Sequence, residues 1–206
     1  MSWYDISEGT NVQQYTGQDL ITIPKSIQLS PSWKILVFGD TSPTNLFTIL
    51  SGKPLNIQVI TTENLPRGYI EKKSVPLEAL GKVAEPRARR QVWLGNGQNN
   101  ERFGYAVSWW SQEHLAIILP DKQIPIGSAI TSAQLEIRRE LVAVVCADTH
   151  PDFFNGFAID ESISIHKKQL LWGRYYLIYH GKVAICLVYE VFSPNIQIFG
   201  MGAMFI

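Results

Sequence analysis

Only 17% of the 206 residues are charged, and the 18 basic side chains are balanced by 18 acidic ones. With a formal net charge of zero, the chain has no electrostatic excess with which to hold a nucleic acid backbone or an anionic membrane. No run of about eighteen apolar residues occurs, so no membrane span is expected. Met1-Ser2-Trp3-Tyr4-Asp5 does not read as the start of a signal peptide, and the expected compartment is the cytoplasm. The only cysteines, Cys146 and Cys186, fall in apolar stretches and read as reduced core thiols. His114, His150, His166 and His180 lack ligand spacing with one another or with cysteine, so no metal is expected. Phosphate loop, nucleophile elbow and dinucleotide fingerprint are all missing. The glycines of GNGQNN (95–100) sit at a hairpin tip rather than before a helix.

What is present is a large apolar fraction, 46%, enough for one domain with a substantial core over residues 1–206. Its clearest stretch runs from Leu170 to Pro194, where two apolar runs flank His180-Gly181-Lys182 in the pattern of a β-hairpin. A side-chain period of two places Ala184, Cys186, Val188, Glu190 and Phe192 on one face of the second run. Val183, Ile185, Leu187, Tyr189 and Val191 take the other face. Both faces are apolar, which predicts a central strand covered on both sides. Glu190 is its only charge, above a floor of small residues that leaves room for a compact polar ligand.

Residues 1–30 are polar and irregular and read as a surface-wrapping arm. Asp40, Thr41 or Ser42 caps a helix with Pro43 in its first turn. Leu46, Phe47, Ile49 and Leu50 form its apolar stripe, and Gly52 and Pro54 end it. Residues 55–62 alternate as a strand that Tyr69–Val75 is expected to pair with. A second hairpin turns at Gly95-Asn96-Gly97. Its first limb sets Ala88, Arg90, Val92 and Leu94 on one face and Arg87, Arg89, Gln91 and Trp93 on the other. Arg87 and Arg89 read as a solvated or rim face, unless a bulge exchanges Arg89 and Arg90. After a Pro/Gly turn at 120–127, a helix of about twelve residues carrying Leu135, Ile137, Leu141 and Val142 leads into a strand from Val142 to Cys146. Residues 151–162 read as a loop, Ser162–Lys167 as an edge strand, and 195–206 as an apolar tail. The sum is an α+β domain with one antiparallel, hairpin-built sheet.

Two charges therefore face inward, Arg90 and Glu190. They suit the binding of an anion and the movement of a proton, because arginine offers a permanent bidentate charge and burial raises a glutamate's pKa toward neutrality. A purely structural ion pair between the two strands is an equal reading.

Leu171-Trp172-Gly173-Arg174, followed by a strand, a Gly-Lys turn and a strand closing in Tyr189-Glu190-Val191-Phe192-Ser193-Pro194, resembles the end of chorismate lyase (chorismate pyruvate-lyase). Asp40-Thr41-Ser42-Pro43-Thr44, Arg90-Gln91-Val92 and Pro125-Ile126-Gly127 are similar to three further family segments in the same order. The resemblance covers roughly Pro31 to Pro194, and its wording is closest to the branch of photosynthetic lineages. It implies a single sheet with helical flaps over a buried cavity, and conversion of chorismate to 4-hydroxybenzoate and pyruvate without a cofactor, for quinone synthesis of the plastoquinone or ubiquinone type. By the same resemblance, Arg90 would hold the ring carboxylate, Glu190 would sit at the ring hydroxyl and the breaking ether, and groups around Pro43 and Ile126 would line the ligand. Val107 stands where the family has a second pocket arginine, leaving Arg174, Arg138 and Arg139 as candidates for the enolpyruvyl carboxylate. The implied partners are chorismate and 4-hydroxybenzoate, with no nucleic acid and no second subunit. The alternative is a non-catalytic, effector-sensing domain of the same fold.

Overall fold

Seven strands pair antiparallel into one sheet in a computed structural model, which describes residues 5–20, 22, 29–96, 101–148, 153, 156–157, 170–194 and 196. They are β1 (Gln13–Thr16), β2 (Asn56–Asn64), β3 (Arg87–Asn96), β4 (Glu101–Ser111), β5 (Ile137–Asp148), β6 (Leu170–His180) and β7 (Val183–Phe192), in the spatial order β1-β5-β6-β7-β4-β3-β2. The helices are α1 (Pro31–Phe38), α2 (Pro43–Ser51), α3 (Leu77–Gly81), α4 (Gln112–Ile118) and α5 (Ile126–Ser132). The fold is thus α+β, as the hairpin pattern predicts. None of the described helices is long and apolar enough to cross a membrane.

β6 and β7 form the predicted hairpin, and Gly181 supplies the left-handed residue of its turn with φ of 58°. β7 is the middle strand of the seven, which explains why both of its faces are apolar. On one face of the sheet, Trp93, Val107, Trp109, Leu177 and Tyr189 join a core closed by Ile6 and by Leu65, Val75 and Leu80. On the other face the core is divided. Trp33, Phe47, Val92, Trp172 and Phe192 pack with α1 and α2, whereas Trp110, Leu115, Ile130, Ile178 and Val188 pack with α4 and α5. The helices are positioned by local signals: the Ser30 hydroxyl caps α1 by accepting from the Trp33 amide, Pro31 and Pro43 open α1 and α2, and Gly52 ends α2 in the left-handed conformation.

Several sequence expectations are corrected. The N-terminal arm is not wholly irregular: four of its residues form β1, which pairs with β5 at the sheet edge. α1 was not signalled by periodicity, because its apolar residues are spread around the helix. Tyr69–Val75 forms no strand. The expected helix through Leu135 to Val142 does not form: β5 begins within it, at Ile137, and the helix lies earlier, at Ile126–Ser132. A bulge between Leu141 and Ala143 breaks the strand's alternation there and mimics a helical spacing. A second irregularity, between Ile178 and Tyr179 on β6, puts Ala184 and Ile185 on the faces opposite to those expected. Ile49 is 76% exposed and is not part of the α2 stripe. The tip at 97–100, the strand at Ser162–Lys167, most of the 151–162 loop and nearly all of the 195–206 tail lie outside the described residues.

Candidate active site

The cavity lies at the seam between the two halves of the divided core. Its floor is the sheet, contributed by Arg90, Val92 and Leu94 of β3, Ala106 of β4, Val188 and Glu190 of β7, Tyr176 and Ile178 of β6 and Arg139 of β5. Its roof is made by the first residues of two helices, Ser42–Thr44 at α2 and Pro125–Gly127 at α5. The empty space is about 430 Å³, counted out to the open solvent at its mouth. The two roof segments touch where Gly127 passes Ser42: a β-carbon at 127 would fall 2.9 Å from the Ser42 Oγ.

The register explains the floor. Arg90 pairs with Ser108, Ser108 with Val188 and Val188 with Tyr176; one row along, Val92, Ala106, Glu190 and Arg174 align in the same way. Small side chains at Ala106 and Val188 leave the hollow between Arg90 and Glu190. Two strands and two residues separate their Cα atoms by roughly 12 Å, so they face one space without bonding to each other. The exchange of Arg89 with Arg90 does not occur, because the β3–β4 irregularity lies beyond them, between Leu94 and Gly95.

Arg90 is 1% exposed. Its Nη2 donates to the carbonyls of Lys122 and Ile124 in the segment leading to α5, while its buried Nε has no partner among the described residues. Burial lowers its pKa to about 10, against a small opposing pull from Cys186 and Asp121. It is therefore a buried cation with no carboxylate in ion-pair contact among the described residues. Such a charge is costly unless an anion completes it.

Glu190 has its ion-pair partner elsewhere. Arg174 Nε donates to Oε2 at 3.0 Å and the Tyr176 hydroxyl donates to Oε1 at 2.7 Å. Burial and the neighbouring Glu190 hold the Tyr176 pKa well above its ordinary value, so the phenol keeps the proton it donates. The remaining guanidinium nitrogens of Arg174 donate to the carbonyls of Gly39 and Thr41, in the loop before α2. Arg174, expected as a ligand contact, is not among the residues of the cavity wall, and all three of its nitrogens are engaged elsewhere. Pro43 and Ile126 lie on the wall.

Val107 faces away from the cavity. Its cross-strand partners are Gln91 and Tyr189, and it fills the continuous core on the far side. Arg138 points outward, 57% exposed and paired with Glu140 at 2.8 Å. Arg139, one residue on, reaches the wall. Tyr176 was missed by sequence reasoning; sorting β6 into faces as was done for β7 puts it beside Arg174 and opposite the Glu190 strand.

Arg89 is not a solvated rim group. It is 4% exposed and lies between Glu71 and Glu63, with Nη1 2.9 Å from Glu71 and Nη2 2.8 Å from Glu63. Glu71 also accepts from the Trp109 indole at 2.8 Å. This network ties the segment after β2 to the sheet on the face opposite the cavity.

The family model for chorismate pyruvate-lyase of the Rv2949c-like type matches residues 37–200, which include every cavity residue named above. The chain belongs to that family. The chain is 25% identical over 176 residues to the uncharacterized protein ycf21 of Cyanophora paradoxa, covering 84% of this chain and 83% of that one. It is 27% identical over 173 residues to ycf21 of Pyropia yezoensis, with 81% and 83% covered. Both relatives come from photosynthetic lineages. Among solved structures, this lyase-family chain is similar to PhnF from Mycobacterium smegmatis with a TM-score of 0.54 and 14% identity, over 75% of this chain and 64% of that one. The effector domain of PhnF alone gives 0.53 and 14%, over 76% and 91%. The likeness to PhnF at this identity is one of fold.

Proposed function

We propose that the protein is a chorismate lyase, converting chorismate to 4-hydroxybenzoate and pyruvate. The observation that carries this reading is a buried arginine, Arg90, with no carboxylate in ion-pair contact among the described residues, in the same cavity as the carboxylate of Glu190. An aromatic acid fits that pair end to end. Arg90 Nε would take the ring carboxylate as a charge-assisted hydrogen bond, neutralising the buried cation. Glu190, oriented by Arg174 and Tyr176, would meet the hydroxyl end.

The reaction is an elimination that balances without an oxidant. The ring carbon bearing the hydroxyl loses its hydrogen as a proton, the bond between the adjacent carbon and the ether oxygen breaks, and the leaving enolpyruvate takes up a proton to become pyruvate. The ring becomes aromatic, which supplies most of the driving force. What remains for the protein is orientation, exclusion of water and proton movement. Each Glu190 oxygen already accepts one hydrogen bond and retains a lone pair. The carboxylate can therefore take part in proton transfer without leaving its partners. The product is a ring precursor for quinones, in keeping with relatives from photosynthetic lineages.

A second reading, a non-catalytic domain that senses an effector, is favoured by the fold shared with the PhnF effector domain. One assay separates the two. Purified protein mixed with chorismate should release pyruvate and 4-hydroxybenzoate in equal amounts. If neither forms above the rate without protein, while 4-hydroxybenzoate still binds, the lyase reading fails and the sensor reading stands.

A further inference from the structure

Arg139 lies on β5 across from Ile178 and is one of the residues that line the cavity. Its Nε is buried and has no partner among the described residues, the same condition as the Nε of Arg90. Among the described residues its one polar contact is a long one, from Nη1 to the carbonyl of Asp40 at 3.4 Å. A contact that long adds little and is easily exchanged.

The two arginines enter from opposite ends. β3 and β5 are four strands apart, so the two backbones are separated by roughly 19 Å at about 4.8 Å per strand. Glu190 lies between them on β7. Its charge is balanced by Arg174, which leaves Arg90 and Arg139 as two positive charges on the wall of one cavity with no carboxylate in ion-pair contact among the described residues. A single carboxylate satisfies one of them. A dianion satisfies both.

We propose that Arg139 anchors a second carboxylate, making the cavity selective for cyclic acids with two carboxylates over those with one. The inference rests on the lyase reading for the ring acid at Arg90 and extends it to the far end of the ligand. It assigns the enolpyruvyl carboxylate to β5, rather than to the hairpin strand where Val107 stands. It also gives a reason for product release: once the ether has broken, the ring acid alone has no group for Arg139.

The test uses two ligands that cannot eliminate, 3-carboxymethoxy-4-hydroxybenzoate and 3-methoxy-4-hydroxybenzoate, which differ by one carboxylate. Calorimetry with the full chain should show the dicarboxylate binding about tenfold more tightly or better, the gain of one charged hydrogen-bonding contact. In Arg139→Gln that preference should vanish, while affinity for the monocarboxylate changes less than about twofold. Arg139→Lys, which keeps the charge, should retain part of the preference. Wild-type protein that binds both ligands equally overturns the proposal without any variant. Equal loss of both ligands in Arg139→Gln also overturns it, since that is what a merely structural residue would do. Chorismate turnover, followed in parallel, separates the two readings: a dicarboxylate preference without turnover removes the lyase reading and keeps the dianion site, and turnover without preference does the reverse.

Discussion

Arg174 stands directly across from Glu190 in the β6–β7 register and donates from Nε to its Oε2 at 3.0 Å, with both side chains buried. The pair decides how the arginines divide their work. Because Arg174 serves Glu190 and the loop before α2, the cavity-lining arginines without a carboxylate in ion-pair contact among the described residues are Arg90 and Arg139.

Removing Arg174 should therefore damage the fold. Arg174→Met leaves a buried carboxylate with only the Tyr176 hydroxyl and frees the carbonyls of Gly39 and Thr41. A loss of about 3–5 kcal/mol is expected in urea unfolding. Adding Glu190→Gln to Arg174→Met should recover part of it, since the uncompensated charge is then gone. A double variant no more stable than Arg174→Met would show that the lost loop contacts, and not the charge, dominate.

Glu190→Gln alone should act on turnover. The amide oxygen can still accept from Tyr176 or Arg174, but the group can no longer carry a proton. Chorismate turnover is expected to fall about 10²- to 10⁴-fold, with 4-hydroxybenzoate affinity changed far less. Pyruvate release near the wild-type rate would exclude Glu190 from the chemistry.

Alkali should unfold the protein steeply. Burial pushes the Cys146 thiol up from 9.0 to about 12, and raises Cys186, Tyr175, Tyr176 and Tyr189 well above their ordinary values. For each group the folded state holds its proton more tightly, so its contribution is complete below the unfolded pKa and is lost as pH climbs toward the folded one. Each adds about 1.4 kcal/mol per pH unit to the decline in its window. Arg90 acts in the opposite sense above about pH 10, because its folded pKa is lowered, and offsets one such group. Urea midpoints should be flat in this respect up to about pH 9 and fall sharply above it. A midpoint unchanged at pH 11 would contradict the burial of these groups.

Gly173→Ala tests the closeness of the two central strands. A β-carbon at 173 would lie 2.8 Å from the backbone oxygen of Glu190 and 3.2 Å from Ile6 Cδ1. Neither a strand carbonyl nor a fully buried isoleucine can retreat cheaply. Overpacking of this kind costs about 1–3 kcal/mol, measurable as a lowered thermal midpoint, and should lower turnover by shifting the Arg174–Glu190 pair. An unshifted midpoint would mean that β6 has slack at this point.

The central hairpin was legible because two independent signals agree there, alternation and a Gly-Lys turn. The same alternation was enough to bring Arg90 and Glu190 to one face. Arg139 was harder, since the bulge after Leu141 disturbs the period in which a strand would be recognised. Arg89 was misread for a different reason. Its partners, Glu63 on β2 and Glu71 in the following segment, are 26 and 18 residues away, and only the tertiary fold reveals that they neutralise it. β1 was missed because of its four residues only Tyr15 is buried, so an edge strand looks like a polar arm.

Arg90 and Arg174 hold the segments that lead into the roof through main-chain carbonyls: Arg90 at residues 122 and 124, and Arg174 at 39 and 41. Every amino acid supplies such a carbonyl. Substitutions of Thr41 or Lys122 therefore leave the fastening of the roof intact, and its sequence can drift while the sheet beneath stays the same. The lids become the natural place for relatives to alter which cyclic acids enter, without rebuilding the charged floor.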